Sequence, residues 1–266
     1  MIVTPEWTFT TSESNEYPDY ALDVSCDNSF TNCHLKEGGG NHSAASLLAV
    51  NGMIDLAVKN NLTMFLGTII ERVSTETITG AGSPYTFFNT MLIVSPNGTI
   101  SIRRKISEDW TIPGCRHGDT CHIAPAKLAN DTLRSIQTTN RCGVTLKSLV
   151  TICAEVGYRD LIKNLLAANV TENDLHIHSE RQGDMQFENL TIAIQNGTWS
   201  TTSFEWINFG KYFMNSLLSS SVMKHGSHLI VSEGAYSTAG IVQLSSTPQP
   251  VRRYELNADF VFGYLP

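Results

Sequence analysis

The chain has 266 residues and 29.3 kDa, with 41% hydrophobic and 16% charged residues and a mean hydropathy of -0.09. That composition excludes a disordered tail, a collagen and a coiled coil, each of which needs a strong bias. The net charge of -7 and pI near 5.6 argue against a nucleic-acid binder, which needs a basic face to displace counterions from phosphate.

In chain order, Met1–Thr4 reads as the end of a short strand stopped by Pro5. Residues 12–40, rich in Asn, Asp and Gly, read as a long polar excursion. Ser43–Lys59 reads as an amphipathic helix entered from Asn41 and Ser43, its apolar face built from Leu47, Leu48, Ile54, Leu56 and Val58. Met64–Ile70 follows as a buried strand. The apolar stretch from Leu47 to Ile70 is interrupted by Asp55, Lys59 and three asparagines, so no membrane span is expected. Phe88–Ser95 and Thr99–Arg104 flank Pro96-Asn97-Gly98, and Asn-Gly between apolar runs is a strong hairpin signal. Residues 113–140 read as a second loop-rich insertion. Val144–Cys153 reads as a strand, Tyr158–Ala168 as a helix, Asp174–His178 as a strand, Phe204–His225 as a long helix and Ser227–Ser232 as a strand. The tail (Gly240–Leu244, Val251–Leu256, Phe260–Tyr264) alternates as short antiparallel strands. Helices and strands alternating in this way predict a layered α/β fold with mixed sheets in a single domain over residues 1–266.

The six cysteines suit two or three staples rather than a disulfide scaffold, and Cys26/Cys33 and Cys115/Cys121 are expected as local bridges within loops. Asn-X-Ser/Thr acceptors stand at Asn41, Asn61, Asn97, Asn130, Asn169, Asn189 and Asn196, more than the roughly four expected by chance. No basic start or apolar leader follows Met1. The paired cysteines and acceptors nevertheless favour a secreted glycoprotein over a cytoplasmic protein.

The sharpest chemistry lies in Leu149-Val150-Thr151-Ile152-Cys153-Ala154-Glu155, just before a helix. A cysteine at the carboxyl end of an apolar strand sits where backbone N–H groups and the helix dipole stabilise a thiolate. The same N–H groups could bind an oxyanion formed by attack on a carbonyl or nitrile carbon. The plain alternative is a buried cysteine closing a strand. Two other strand ends carry ionisable groups. Glu6 could take the thiol proton, and Lys105 could offset charge on a tetrahedral intermediate. Taken singly, Glu6 reads as a strand-end residue and Lys105 as part of a basic edge with Arg103 and Arg104.

Pro5-Glu6 after an apolar strand, Arg104-Lys105 closing a hairpin and Ile152-Cys153-Ala154-Glu155 before a helix together resemble the nitrilase superfamily of carbon–nitrogen hydrolases. Gly67, Phe88-Asn89-Thr90, Ser232-Glu233-Gly234 and Thr238-Ala239-Gly240 add to the resemblance, whose loops and sequons lean toward the pantetheinase/biotinidase branch. It implies a four-layer α-β-β-α sandwich lacking the first strand and helix, because the chain starts inside the strand that precedes Pro-Glu. It further implies hydrolysis of a small-molecule amide or nitrile through a cysteine thioester. Glu6 would be the general base, Lys105 the oxyanion stabiliser, Cys153 the nucleophile and the Ala154 N–H part of the oxyanion site. Glu108 would be an off-register accessory carboxylate. No metal or organic cofactor is implied, and a homodimer is the common assembly of relatives. A catalytically impaired binding protein and an N-acyltransferase using the same thioester are the alternative functions.

Cys115, His117, Cys121 and His122 crowd one loop but lack a paired zinc knuckle, so a loop disulfide is expected there. His176 and His178 alternate on a strand and so share a face, where they could border the active site, although satisfied or surface histidines are more common. G-x-S-x-G, P-loop and G-x-G-x-x-G motifs are absent.

Overall fold

The computed structural model describes residues 1–6, 8–9, 18–74, 85–106, 134–139, 143–153, 155, 161–180, 219–233, 239–243, 249–250, 254–257 and 260–262. The chain forms two compact units, one of Met1–Ile2 with Trp7–Thr132 and the other of Val3–Glu6 with Leu133–Pro266. No helix among the described residues is long and apolar enough to cross a membrane.

The first unit is built from Ile2 of β1 (Ile2–Val3), β2 (Leu22–Cys26), β3 (Cys33–Glu37), α1 (Ser43–Asn60), β4 (Met64–Ser74), β5 (Tyr85–Val94) and β6 (Ile100–Arg104). Its sheet runs β3-β2-β4-β5-β6, with β1 joining β4. Strands β2 and β4 are parallel and are linked through α1, whereas β2–β3, β4–β5 and β5–β6 are antiparallel.

The hairpin β2–β3 corrects the expectation of a polar excursion over residues 12–40. Leu22, Val24 and Leu35 alternate with polar neighbours too briefly to stand out, and pairing with β4 supplies the order that local composition does not. Cys26 and Cys33 are therefore strand residues directly opposite each other, bonded as a disulfide, and not loop residues as expected. The Asp27 carboxylate closes their turn by accepting the Ser29 hydroxyl at 2.9 Å and the Thr31 N–H at 3.1 Å. These bonds hold its carboxyl below the usual range.

Helix α1 has the expected extent but a different buried face. Ser43, Ser46, Val50 and Ala57 are buried, while Leu48 is 75% exposed and Leu56 and Val58 are also exposed. Small side chains at this spacing let the helix lie close to the sheet, with Leu47 and Ile54 packing at its margin. Asn61 ends it in the left-handed conformation, φ +52°, which asparagine tolerates. The hairpin β5–β6 forms as expected: Gly98 takes φ +82° and donates its N–H to Ser95 O at 2.9 Å. The core joins Leu22, Met64, Leu66, Ile69, Leu92 and Ile102. Gly67 marks a bulge, where the β4–β5 register shifts between Leu66 and Thr68.

The second unit contains β7 (Ile136–Thr139), β8 (Thr145–Ile152), α2 (Leu161–Ala167), β9 (Asn173–Glu180), β10 (Met223–Glu233), β11 (Ala239–Gln243) and β12 (Gln249–Pro250), plus β13 (Tyr254–Asn257) paired with β14 (Phe260–Phe262). The main sheet runs β12-β11-β10-β9-β8-β7. Strands β8, β9 and β10 are parallel, and β7, β11 and β12 are antiparallel additions. The unit β8–α2–β9 is thus a parallel crossover, which needs the helix that the Leu161–Leu165 spacing encodes.

Two expectations are corrected here. Strand β7 occupies part of the expected 113–140 insertion, and its four residues are too few to register as a strand pattern. Residues 223–225, expected to end a long helix, are strand, because β9 pairs with Met223 and overrides local propensity. Residues 113–133, 140 and 204–218 lie outside the described residues. The central strand is pinned by Asp174, which accepts the Lys147 N–H at 2.8 Å and the Lys224 ammonium at 2.7 Å. Burial works against that carboxylate's charge, but these donors more than offset it and lower its pKa.

Candidate active site

Strand β8 ends at Ile152, and the next residue, Cys153, has φ +47°. A non-glycine residue held in that region costs about 1–3 kcal/mol and persists only where its surroundings over-determine it. Cys153 and Glu155 both have 3₁₀ conformation directly after the strand. Cys153 is half-buried and not disulfide-bonded.

Glu155 is fully buried, and its Oε2 accepts the Ile152 N–H at 2.7 Å. This has the geometry of a capping box, a carboxylate reaching back three residues to a backbone donor. Among the described residues β7 pairs with β8 as far as Ser148. A buried N–H at Ile152 left without an acceptor would cost about 1–3 kcal/mol.

On β8, two residues before Cys153, the buried Thr151 hydroxyl lies 2.7 Å from His176 Nε2 and 2.8 Å from His178 Nδ1. Both rings are fully buried, each with one nitrogen on the Thr151 hydroxyl, which corrects the surface reading of these histidines. One hydroxyl carries one proton, so it donates to one ring and accepts from the other. Thr151→Val keeps the shape and removes both bonds, and is expected to lower the unfolding free energy by about 1–3 kcal/mol. Urea denaturation checks this.

Glu6 is 4% exposed and belongs to the second unit, as Cys153 does. Its segment is tied down by Ser179, whose hydroxyl donates to Thr4 O at 3.0 Å. Ser179 is the register partner of Ile152, and paired strands lie about 4.8 Å apart. The segments carrying Glu6 and Cys153 therefore meet at the carboxyl ends of parallel strands β8 and β9, the edge at which α/β sheets take ligands.

Lys105 belongs to the first unit, just past β6, where its N–H donates to Asn89 O at 2.8 Å. It is 2% exposed and Arg103 1%, so the solvated basic edge considered for these residues is not what forms. Arg104 reaches Glu71 through Nε to Oε2 at 2.7 Å and Nη2 to Oε1 at 2.6 Å. Glu71 also accepts the Thr90 hydroxyl at 2.7 Å, and the guanidinium lies over the rings of Phe88 and Phe30 at 4.7 and 5.2 Å. The backbone at Lys105 is thus fixed by a ladder bond and by its neighbour's paired side chain.

Ala154 and Glu108 lie outside the described residues, as do Cys115, His117, Cys121 and His122. Two residues gained roles that sequence reasoning did not assign. Glu71 is a lone carboxylate inside the apolar run Met64–Val73, which calls for a cation. Glu155 stands three residues beyond Ile152, the capping-box spacing.

No protein-family model matches the chain, and no curated protein sequence does. Solved structures do. A mutant of the Nesterenkonia AN1 amidase from the nitrilase superfamily is 10% identical at TM-score 0.50, over 98% of this chain and 73% of that one. A carbon-nitrogen hydrolase from Helicobacter pylori is 12% identical at TM-score 0.51, over 91% and 70%. Another mutant of the amidase from Nesterenkonia sp. AN1, 8% identical at TM-score 0.51 over 93% and 71%, carries the acetamide moiety of fluoroacetamide covalently on its active-site cysteine. With its two mixed sheets and few helices, the chain has the fold of the nitrilase-superfamily amidases, the fold class expected from its motifs.

Proposed function

We propose that the protein is a carbon–nitrogen hydrolase that cleaves a small non-peptide amide through a thioester on Cys153. The observation that carries this reading is the left-handed Cys153 (φ +47°) at the carboxyl end of β8. That conformation aims a side chain off a strand end and is costly unless it serves a purpose. The covalent adduct on the active-site cysteine of a structural neighbour supports the same chemistry.

In the proposed reaction Glu6 removes the thiol proton and the Cys153 sulfur attacks the amide carbon. The tetrahedral oxyanion is stabilised by the Lys105 ammonium and the Ala154 N–H. The proton on Glu6 passes to the leaving nitrogen, the C–N bond breaks, and ammonia or an amine departs. Glu6 then activates water, which attacks the thioester and releases the acid and the thiol. Burial of Glu6 suits it to this alternation between accepting and returning a proton.

The test is to quench the protein with simple aliphatic amides and weigh it. An acyl group on the Cys153 peptide is expected, together with release of ammonia. Absence of both across the panel would overturn the proposal. Glu6→Gln is expected to reduce kcat by about 100- to 10,000-fold, checked by steady-state ammonia release.

A further inference from the structure

We infer that Glu155 is a positioning residue whose carboxylate sets the Cys153 turn, an inference that rests on the reading of Cys153 as nucleophile. The hydrogen bond from Ile152 N–H to Glu155 Oε2, 2.7 Å long and buried, closes a ring of backbone around Cys153. One side of that ring is anchored to the sheet, since Ile152 pairs with Ser179 of β9. The other side is Glu155, fully buried in the 3₁₀ turn. Between the two, Cys153 takes φ +47°, which a cysteine adopts only when both flanks are held. A side-chain oxygen at this reach makes that bond directional. It therefore holds the direction of the Cys153 sulfur, the preorganisation that attack on a carbonyl carbon requires.

The experiment compares wild-type protein with Glu155→Ala, Glu155→Gln and Glu155→Asp, measuring kcat, KM, the rate of Cys153 alkylation by iodoacetamide and the thermal melt. Gln keeps an acceptor at the same reach, and Asp falls one methylene short. Glu155→Gln is expected to stay within about fivefold of wild type, whereas Glu155→Ala loses about 100-fold in kcat with KM little changed, the scale of an ångström-sized misplacement. Alkylation of Cys153 is expected to slow in Glu155→Ala and to recover in Glu155→Gln. If the Ala variant does not fold, Asp against Gln decides, with Asp expected to be the slower. Equal kcat and alkylation rates in Ala, or in Asp, and wild type would overturn the inference, as would equal losses in Gln and Ala. A wild-type protein that turns over no amide overturns the proposed function instead, and alkylation still ranks the variants.

Discussion

Replacing Cys153 with Ala is expected to lower amide turnover by at least about 10,000-fold while the fold is retained. The substitution removes the only atom in the proposed site able to form the thioester. What remains is a polarising environment and an unassisted water, and these account for only a small part of the acceleration in enzymes that use a covalent intermediate. The structural cost is small, because alanine meets the same left-handed backbone and deletes a single half-buried sulfur. Steady-state ammonia release, intact mass after incubation with amide and a thermal melt check this together. The expected result is no turnover, no added mass and an unchanged melting temperature. Turnover within tenfold of wild type would show that Cys153 is not the nucleophile.

Replacing Glu71 with Ala is expected to lower the unfolding free energy by about 3–5 kcal/mol, a large share of the 5–15 kcal/mol that holds a typical domain. Glu71 is fully buried and is held by both guanidinium contacts of Arg104 and by the Thr90 hydroxyl. Removing the carboxylate leaves the guanidinium over the rings of Phe30 and Phe88, without the charge that offsets its desolvation. Changing both residues to Met is expected to restore most of the stability, since an apolar pair carries no desolvation penalty. Urea denaturation of the single and double variants measures the difference. A loss below about 1 kcal/mol in Glu71→Ala would mean that the pair contributes no more than a surface ion pair does.

Much of the fold was legible in the sequence because it is encoded locally. The β5–β6 hairpin rests on Asn97-Gly98, where glycine meets a left-handed turn at no steric cost. Helix α1 and strands β8 and β9 rest on runs long enough to show their period. Hairpin β2–β3 and strand β7 were not legible, since short, half-polar strands owe their order to a partner elsewhere in the chain. The buried face of α1 differs from its most apolar face for a related reason. Hydrophobicity ranks Leu48 and Leu56 above Ser46 and Ala57, but a helix lying close to a sheet selects for small side chains at the contact.

The candidate site divides in the same way. Residue type and order alone determined that Glu6, Lys105 and Cys153 each stand at a strand end, because strand ends are written in apolar runs and their stops. Tertiary structure decided what sequence could not. It bonded Ser179 to Thr4 across from Ile152, so that the segments of Glu6 and Cys153 meet. It also buried Arg103 and Lys105 instead of leaving a basic edge in water. A left-handed cysteine has no local sequence signature, because no side-chain preference favours it. It exists only where the sheet on one side and the Glu155 carboxylate on the other leave the backbone no alternative.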